Sequence, residues 1–140
     1  MKRRQVWRYS CEFCKKSNCS ASAISKHEQR CTLNPDRVCG MCQMLKQKQA
    51  DLPSVIFALP KPVLFQESDC GDTLTWPDGV DTAGVYANLK TLTRGCPACI
   101  MAAIRQAKIP VPMIPEFDYT KECEAVWALI NEEDPQPWLA

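Results

Sequence analysis

A chain of 140 residues and 15.8 kDa has the size of one ordinary domain and is long enough to bury about two-thirds of its unfolded surface, so its core need not depend on cross-links. The net charge of +1 conceals an asymmetry. Residues 1–50 carry eleven Lys/Arg against three acids, for +8, and residues 51–140 carry six against thirteen, for −7. No apolar run approaches the length of a membrane span, and "MKRRQVWRYS" lacks the apolar stretch of a signal peptide, which points to an intracellular, reducing compartment and no membrane partner. There the ten cysteines, six of them in CxxC pairs, read as metal ligands in preference to disulfides.

In chain order, residues 1–9 form a basic arm ending in Tyr9. Next comes "CEFCKKSNCSASAISKHEQRC", residues 11–31, with the spacing Cys-x2-Cys-x12-His-x3-Cys. A CxxC turn offers two thiolates in one knuckle. His27 and Cys31, four apart, project from one face of a helix. Cys11, Cys14, His27 and Cys31 therefore supply the four soft ligands of a tetrahedral zinc.

This stretch resembles the two-Cys-two-His zinc-finger family in its final-Cys (CCHC) variant, over residues 9–31 only. Tyr9 stands at the aromatic position two before the first cysteine, and Ile24 at the apolar position three before the histidine. Asn18 stands where the family has its core aromatic, and the neighbouring Cys19 is expected to fill that gap as a small hydrophobe. The resemblance implies a ββα-like finger whose base-reading positions fall on Ser20, Ser22, Ala23 and Lys26. That set is poor in bidentate readers. It implies contacts dominated by phosphates, made by Lys2, Arg3, Arg4, Arg8, Lys15, Lys16, Lys26 and Arg30. Taken whole, the chain is also similar in general look to small zinc-finger proteins of bacteriophages.

"TLNPDR", 32–37, carries a turn at Asn34-Pro35-Asp36. A short helix is expected within 38–50, with Met41, Met44 and Leu45 on one face. Residues 51–65 are apolar but bracketed by Pro53, Pro60 and Pro62, and periodicity leaves helical turn and extended segment both open. Residues 66–80 read as loop. An amphipathic helix over 81–93 has Asp81 as its N-cap and Val85, Leu89 and Leu92 on its apolar side. Another, over 95–108, has Pro97 at its first position. "IPVPMIPEF", 109–117, is predicted to be extended. The last helix, over 120–134, carries an apolar stripe of Cys123, Val126, Trp127 and Ile130.

Cys39-x2-Cys42 and Cys96-x2-Cys99 each precede an expected helix, and two such knuckles complete a four-thiolate zinc site. The intervening length is no obstacle, because loop closure grows only logarithmically with it. A thioredoxin-like redox role for Cys96-Pro-Ala-Cys99 lacks the strand that should lead into it. A zinc-stapled nuclease lacks a second histidine to act as general base. Cys123 is expected in the core, Cys70 in a loop between acids, and Cys19 is a rival ligand for the first zinc.

The expected protein is small, mostly α and zinc-stapled. A basic finger (1–36) is followed by an acidic α-helical domain (37–140) closed by a four-cysteine site, with two zinc ions in all and no enzymatic machinery. Its partner is nucleic acid, bound with little specificity. The alternatives are a protein partner, docked through the acidic half and the proline-rich 109–117, and third a CxxC redox protein. Opposite charges on the two halves also allow them simply to dock on each other. The pattern does not fix an oligomeric state.

Overall fold

The computed structural model describes residues 1–67 and 71–133, and the side chains of 1–64 and 73–132. The first pair of strands, β1 (Tyr9–Ser10) and β2 (Ser17–Asn18), is antiparallel with Tyr9 opposite Asn18. Asn18 does not leave a hole for Cys19 to fill. Its Oδ1 accepts the Ser20 N–H at 2.9 Å, a side-chain turn that leads into α1 (Ala21–Arg30), and Cys19 lies exposed on that turn. Ser20 caps α1 by accepting the Ala23 N–H at 3.3 Å. Ile24 is the buried residue of this helix.

The Asn34 turn forms as its sequence suggests. Asn34 is buried, donates to the Glu28 carbonyl at 2.7 Å and accepts the Asp36 N–H at 2.9 Å. Beyond it lie α2 (Gly40–Met44), α3 (Leu52–Ala58), α4 (Thr82–Leu92), α5 (Pro97–Gln106) and α6 (Tyr119–Glu133). The apolar run after residue 50 resolves into both of its options, α3 followed by a strand.

That strand, β3 (Val63–Glu67), pairs antiparallel with β4 (Gly71–Thr75), Leu64 opposite Leu74. This hairpin corrects the loop expected over 66–80. The β-prone Val63-Leu64 and Thr73-Leu74-Thr75 pair across a polar stretch that masked their relation. Cys70 lies outside the described residues. Nor is 109–117 uniformly extended. A 3₁₀ turn occupies Val111–Met113, and its bonds come from the Met113 and Ile114 N–H groups, donated to the Pro110 and Val111 carbonyls at 3.0 Å each. The prolines sit where no N–H is required and where their fixed φ suits the turn.

The core is organised around α5, whose Ile100, Ala102, Ala103 and Ile104 are fully buried. They meet Leu52, Val55 and Leu59 of α3, Leu89 of α4, and Ile109, Ile114 and Phe117 from the proline-rich segment. Alanines at the centre let these neighbours close to contact distance. Trp76 ties the end of β4 to this body, its Nε1 donating to the Met113 carbonyl at 2.7 Å. On α6, Val126 is buried but Trp127 is exposed, so the stripe is narrower than expected. On α2, Met41 packs against the cysteines while Met44 faces out.

Three helices end in the same way. Lys46, Arg94 and Lys108 have φ of 54°, 55° and 58°. The next N–H in each case reaches back six residues inclusive: Gln47 to Cys42, Gly95 to Lys90 and Ile109 to Ile104, at 3.1, 2.9 and 3.1 Å. This left-handed cap satisfies carbonyls at the helix end.

Candidate metal centres

The first cluster is assembled from one loop and one helix. Cys11 and Cys14 lie between β1 and β2, which the Cys11 N–H helps close by donating to the Lys16 carbonyl at 2.8 Å. His27 lies in the last turn of α1 and Cys31 is its C-cap. The ligand atoms of all four lie within 4.8 Å of one another, with Cys14 Sγ 3.1 Å from His27 Nε2. Cys11 and Cys31 are buried, whereas Cys14 and His27 are half-buried. Backbone N–H groups of Phe13 and Lys16 donate to Cys11 Sγ and Cys14 Sγ, each at 3.4 Å.

The second cluster joins two helix starts. Cys39 is the N-cap of α2 and Cys96 the N-cap of α5, with Cys42 and Cys99 in their first turns. Cys39 and Cys96 Sγ lie 3.6 Å apart, and Cys42 and Cys99 Sγ 3.5 Å. All four are at most 1% exposed. A tetrahedral zinc with thiolates at about 2.3 Å sets sulfurs about 3.8 Å apart, close to these separations. None of the nine described cysteines is in a disulfide.

Electrostatics agree with this fit. Burial works against ionisation of Cys11, but the Phe13 and Cys14 N–H groups and neighbouring thiols outweigh it and lower its pKa. Burial raises that of Cys31. In the second cluster, hydrogen bonds from the Cys96 and Cys99 thiols push Cys39 far down. Donating to Cys39 pushes Cys96 far up and contributes most to holding Cys99 at about 12. Four thiols so placed compete for charge, and a divalent cation between them removes the competition by favouring every thiolate at once.

Three neighbours of this cluster escaped the sequence reading. Gln49 Oε1 accepts the Cys39 N–H at 2.6 Å while its Nε2 donates to the Arg37 carbonyl at 2.8 Å. Gln47 Nε2 lies 3.7 Å from Cys42 Sγ. Arg37 is buried, and its Nε and Nη1 have no hydrogen-bond partner among the described residues. Arg37 precedes Cys39 by two residues, and Gln49 links its carbonyl to the Cys39 N–H. Nothing in the CxxC spacing signals these three residues.

The eight cations singled out from sequence, Lys2, Arg3, Arg4, Arg8, Lys15, Lys16, Lys26 and Arg30, are all exposed. Among the described residues none is paired with a carboxylate; the ion pair there joins Lys90 and Glu122. Arg8 Nε donates to Ser17 Oγ at 2.9 Å. The Arg30 guanidinium lies over Gly40, 3.5 Å from where a Cβ would stand, and so touches the second knuckle. The Ser20 hydroxyl serves the helix cap and is not a free reading group. Cys123 is half-buried near Tyr119, whose pKa is raised by burial and then by the Cys123 thiol.

Together these clusters define a protein with two metal-binding groups, one CCHC and one CCCC, consistent with two zinc ions. No family model, curated protein or solved structure matches the chain. The finger type and the phage likeness therefore rest on the sequence resemblance alone. Among the described residues no helix is long and apolar enough to cross a membrane.

Proposed function

We propose that this is a small non-enzymatic zinc protein of a reducing compartment that binds nucleic acid through the cations of an N-terminal ββα-like finger. Residues 1–36 are the finger and 37–140 the helical domain. Both zincs are structural: each has four protein ligands, which leaves no open position for substrate or water. The sole histidine is used as a ligand, so no free imidazole remains beside them.

The observation that carries the nucleic-acid reading is the set of eight exposed cations on residues 2–30 without carboxylate partners among the described residues. Binding of this kind is phosphate-dominated, weakly specific and steep in salt. Fluorescence anisotropy of the zinc-loaded chain with labelled DNA and RNA tests it. Lys15→Glu, Lys16→Glu and Lys26→Glu together abolish binding and flatten the salt dependence on this reading. Unaltered binding by the triple variant sinks it.

A second reading, docking of a protein partner, draws on Phe57, 92% exposed at the end of α3, and Leu64, 65% exposed on β3. The proline-rich segment lends it less than its sequence suggests, because Ile109, Ile114 and Phe117 are core residues.

A further inference from the structure

The basic N-terminal region carries three exposed aromatic side chains. Trp7 is 83% exposed, Tyr9 42% and Phe13 38%. Burial against the protein does not account for the Trp7 ring, while Tyr9 and Phe13 are part covered and part open. Arg8 stands between the first two, held by Ser17. Phe13 lines a groove of about 520 Å³ together with Leu33 and Pro35, and the same groove is walled by Arg105 and Lys108, both exposed. Two cations of the acidic half thus join the finger side. They are fixed there by the seam between α5 and the Asn34 turn, where Arg105 Nη1 donates to Thr32 Oγ1 at 2.6 Å and Gln106 Nε2 to the Thr32 and Asn34 carbonyls at 3.0 Å.

Apolar rings set among cations match a polymer with both flat faces and negative charges. In a duplex the base faces are stacked on one another and closed to such rings, and only edges and phosphates remain. In a single strand the faces are open. Trp7 and Tyr9 flank Arg8, so two exposed rings and a cation lie within three consecutive residues. The helix face points the same way: Ser20 is engaged as a cap, and Ser22 and Ala23 offer no bidentate contact to a base edge.

We infer that Trp7, Tyr9 and Phe13 form a stacking platform for single-stranded nucleic acid, whose phosphates meet Arg8, Arg105 and Lys108. This rests on the nucleic-acid reading above and specifies its ligand. Stacking accepts any base, so the platform is tolerant of sequence.

The test uses the full zinc-loaded chain with labelled oligothymidylate of about twelve nucleotides, within the usual site sizes for single strands, and a duplex of equal length. Native protein is compared with Trp7→Ala and with Tyr9→Ala/Phe13→Ala. Zinc content and circular dichroism confirm that each variant is folded. The expected result is preference for the single strand, a loss of about 5- to 150-fold in its affinity on Trp7→Ala, the range for one lost stack, and little change for duplex. Equal affinity for both forms, untouched by the aromatic variants, overturns the platform and leaves ionic nucleic-acid binding standing. No binding to either form at low salt overturns the nucleic-acid reading itself, and the platform with it.

Discussion

Arg37 is a buried cation two residues before Cys39. Its guanidinium is buried with two nitrogens lacking partners among the described residues. A buried unpaired cation is strongly unfavourable, whereas one facing a nearby anionic centre is compensated. On the zinc reading, Arg37→Met weakens metal binding at the Cys39/Cys42/Cys96/Cys99 site by about 10- to 100-fold, the usual effect of altering a partner just outside the ligand shell. Arg37→Lys, which keeps the charge, recovers part of that loss. Competition with a chromogenic chelator reads both values, and native affinity in the Met variant removes Arg37 from this role. The residue was invisible in the sequence as anything more than one of eleven cations. The ligands themselves were legible, because thiol and imidazole chemistry fixes residue type and CxxC fixes spacing. Counter-charges and hydrogen-bond partners obey no such spacing, and Gln49, reaching both Cys39 and the Arg37 carbonyl, has no sequence signal at all.

At the scale of elements, helices announced themselves more clearly than strands. Asp81 before α4 and Pro97 at the start of α5 mark their helices by chemistry that acts within one turn: Asp81 accepts the Ala83 N–H at 3.1 Å, and Pro97 occupies a position that needs no donor. The β3–β4 hairpin depends on pairing Val63 with Thr75, whose two short apolar runs are parted by polar residues that read as loop. Helix ends were legible only in part. Gly95 signals a stop, but Lys46 and Lys108 take the left-handed conformation without glycine's freedom. An L-residue there is disfavoured by about 1–2 kcal/mol. Lys46→Gly is therefore expected to stabilise the fold by about 1 kcal/mol after the unfolded chain's added freedom is counted. Urea denaturation at fixed zinc measures it, and an unchanged or lower midpoint contradicts the strain argument. Lys46 suits the test because it is exposed and distant in sequence from the proposed binding row.

For the whole molecule, the two clusters divide the labour of holding the fold. The first pins a short strand pair to α1. The second pins α2 to the start of α5, the helix around which the core is packed. Metal removal is predicted to act on them unequally. Ligands bind metal as thiolate and neutral imidazole, so lowering pH adds protons that compete with the ion, and affinity falls as pH falls. The half-buried Cys14 and His27 give water a path that the second cluster lacks. Native mass spectrometry during acidification or chelation is expected to show the ion of the CCHC site leaving first and that of the CCCC site later, with collapse of the helical signal at the second loss. Simultaneous loss, or a helical signal indifferent to both, contradicts this division.

The 57 residues that separate Cys39 from Cys96 also impose an order on the chain's birth. A polypeptide leaves the ribosome N-terminus first at about 5–20 residues per second. The ligands of the first cluster end at Cys31, so that cluster has its full complement early. Cys39 and Cys42 then wait roughly 3–11 s at that rate for their partners to be made. During that interval the first cluster is complete while half of the other metal centre does not yet exist. A nascent chain can therefore hold one complete metal centre before it has a core.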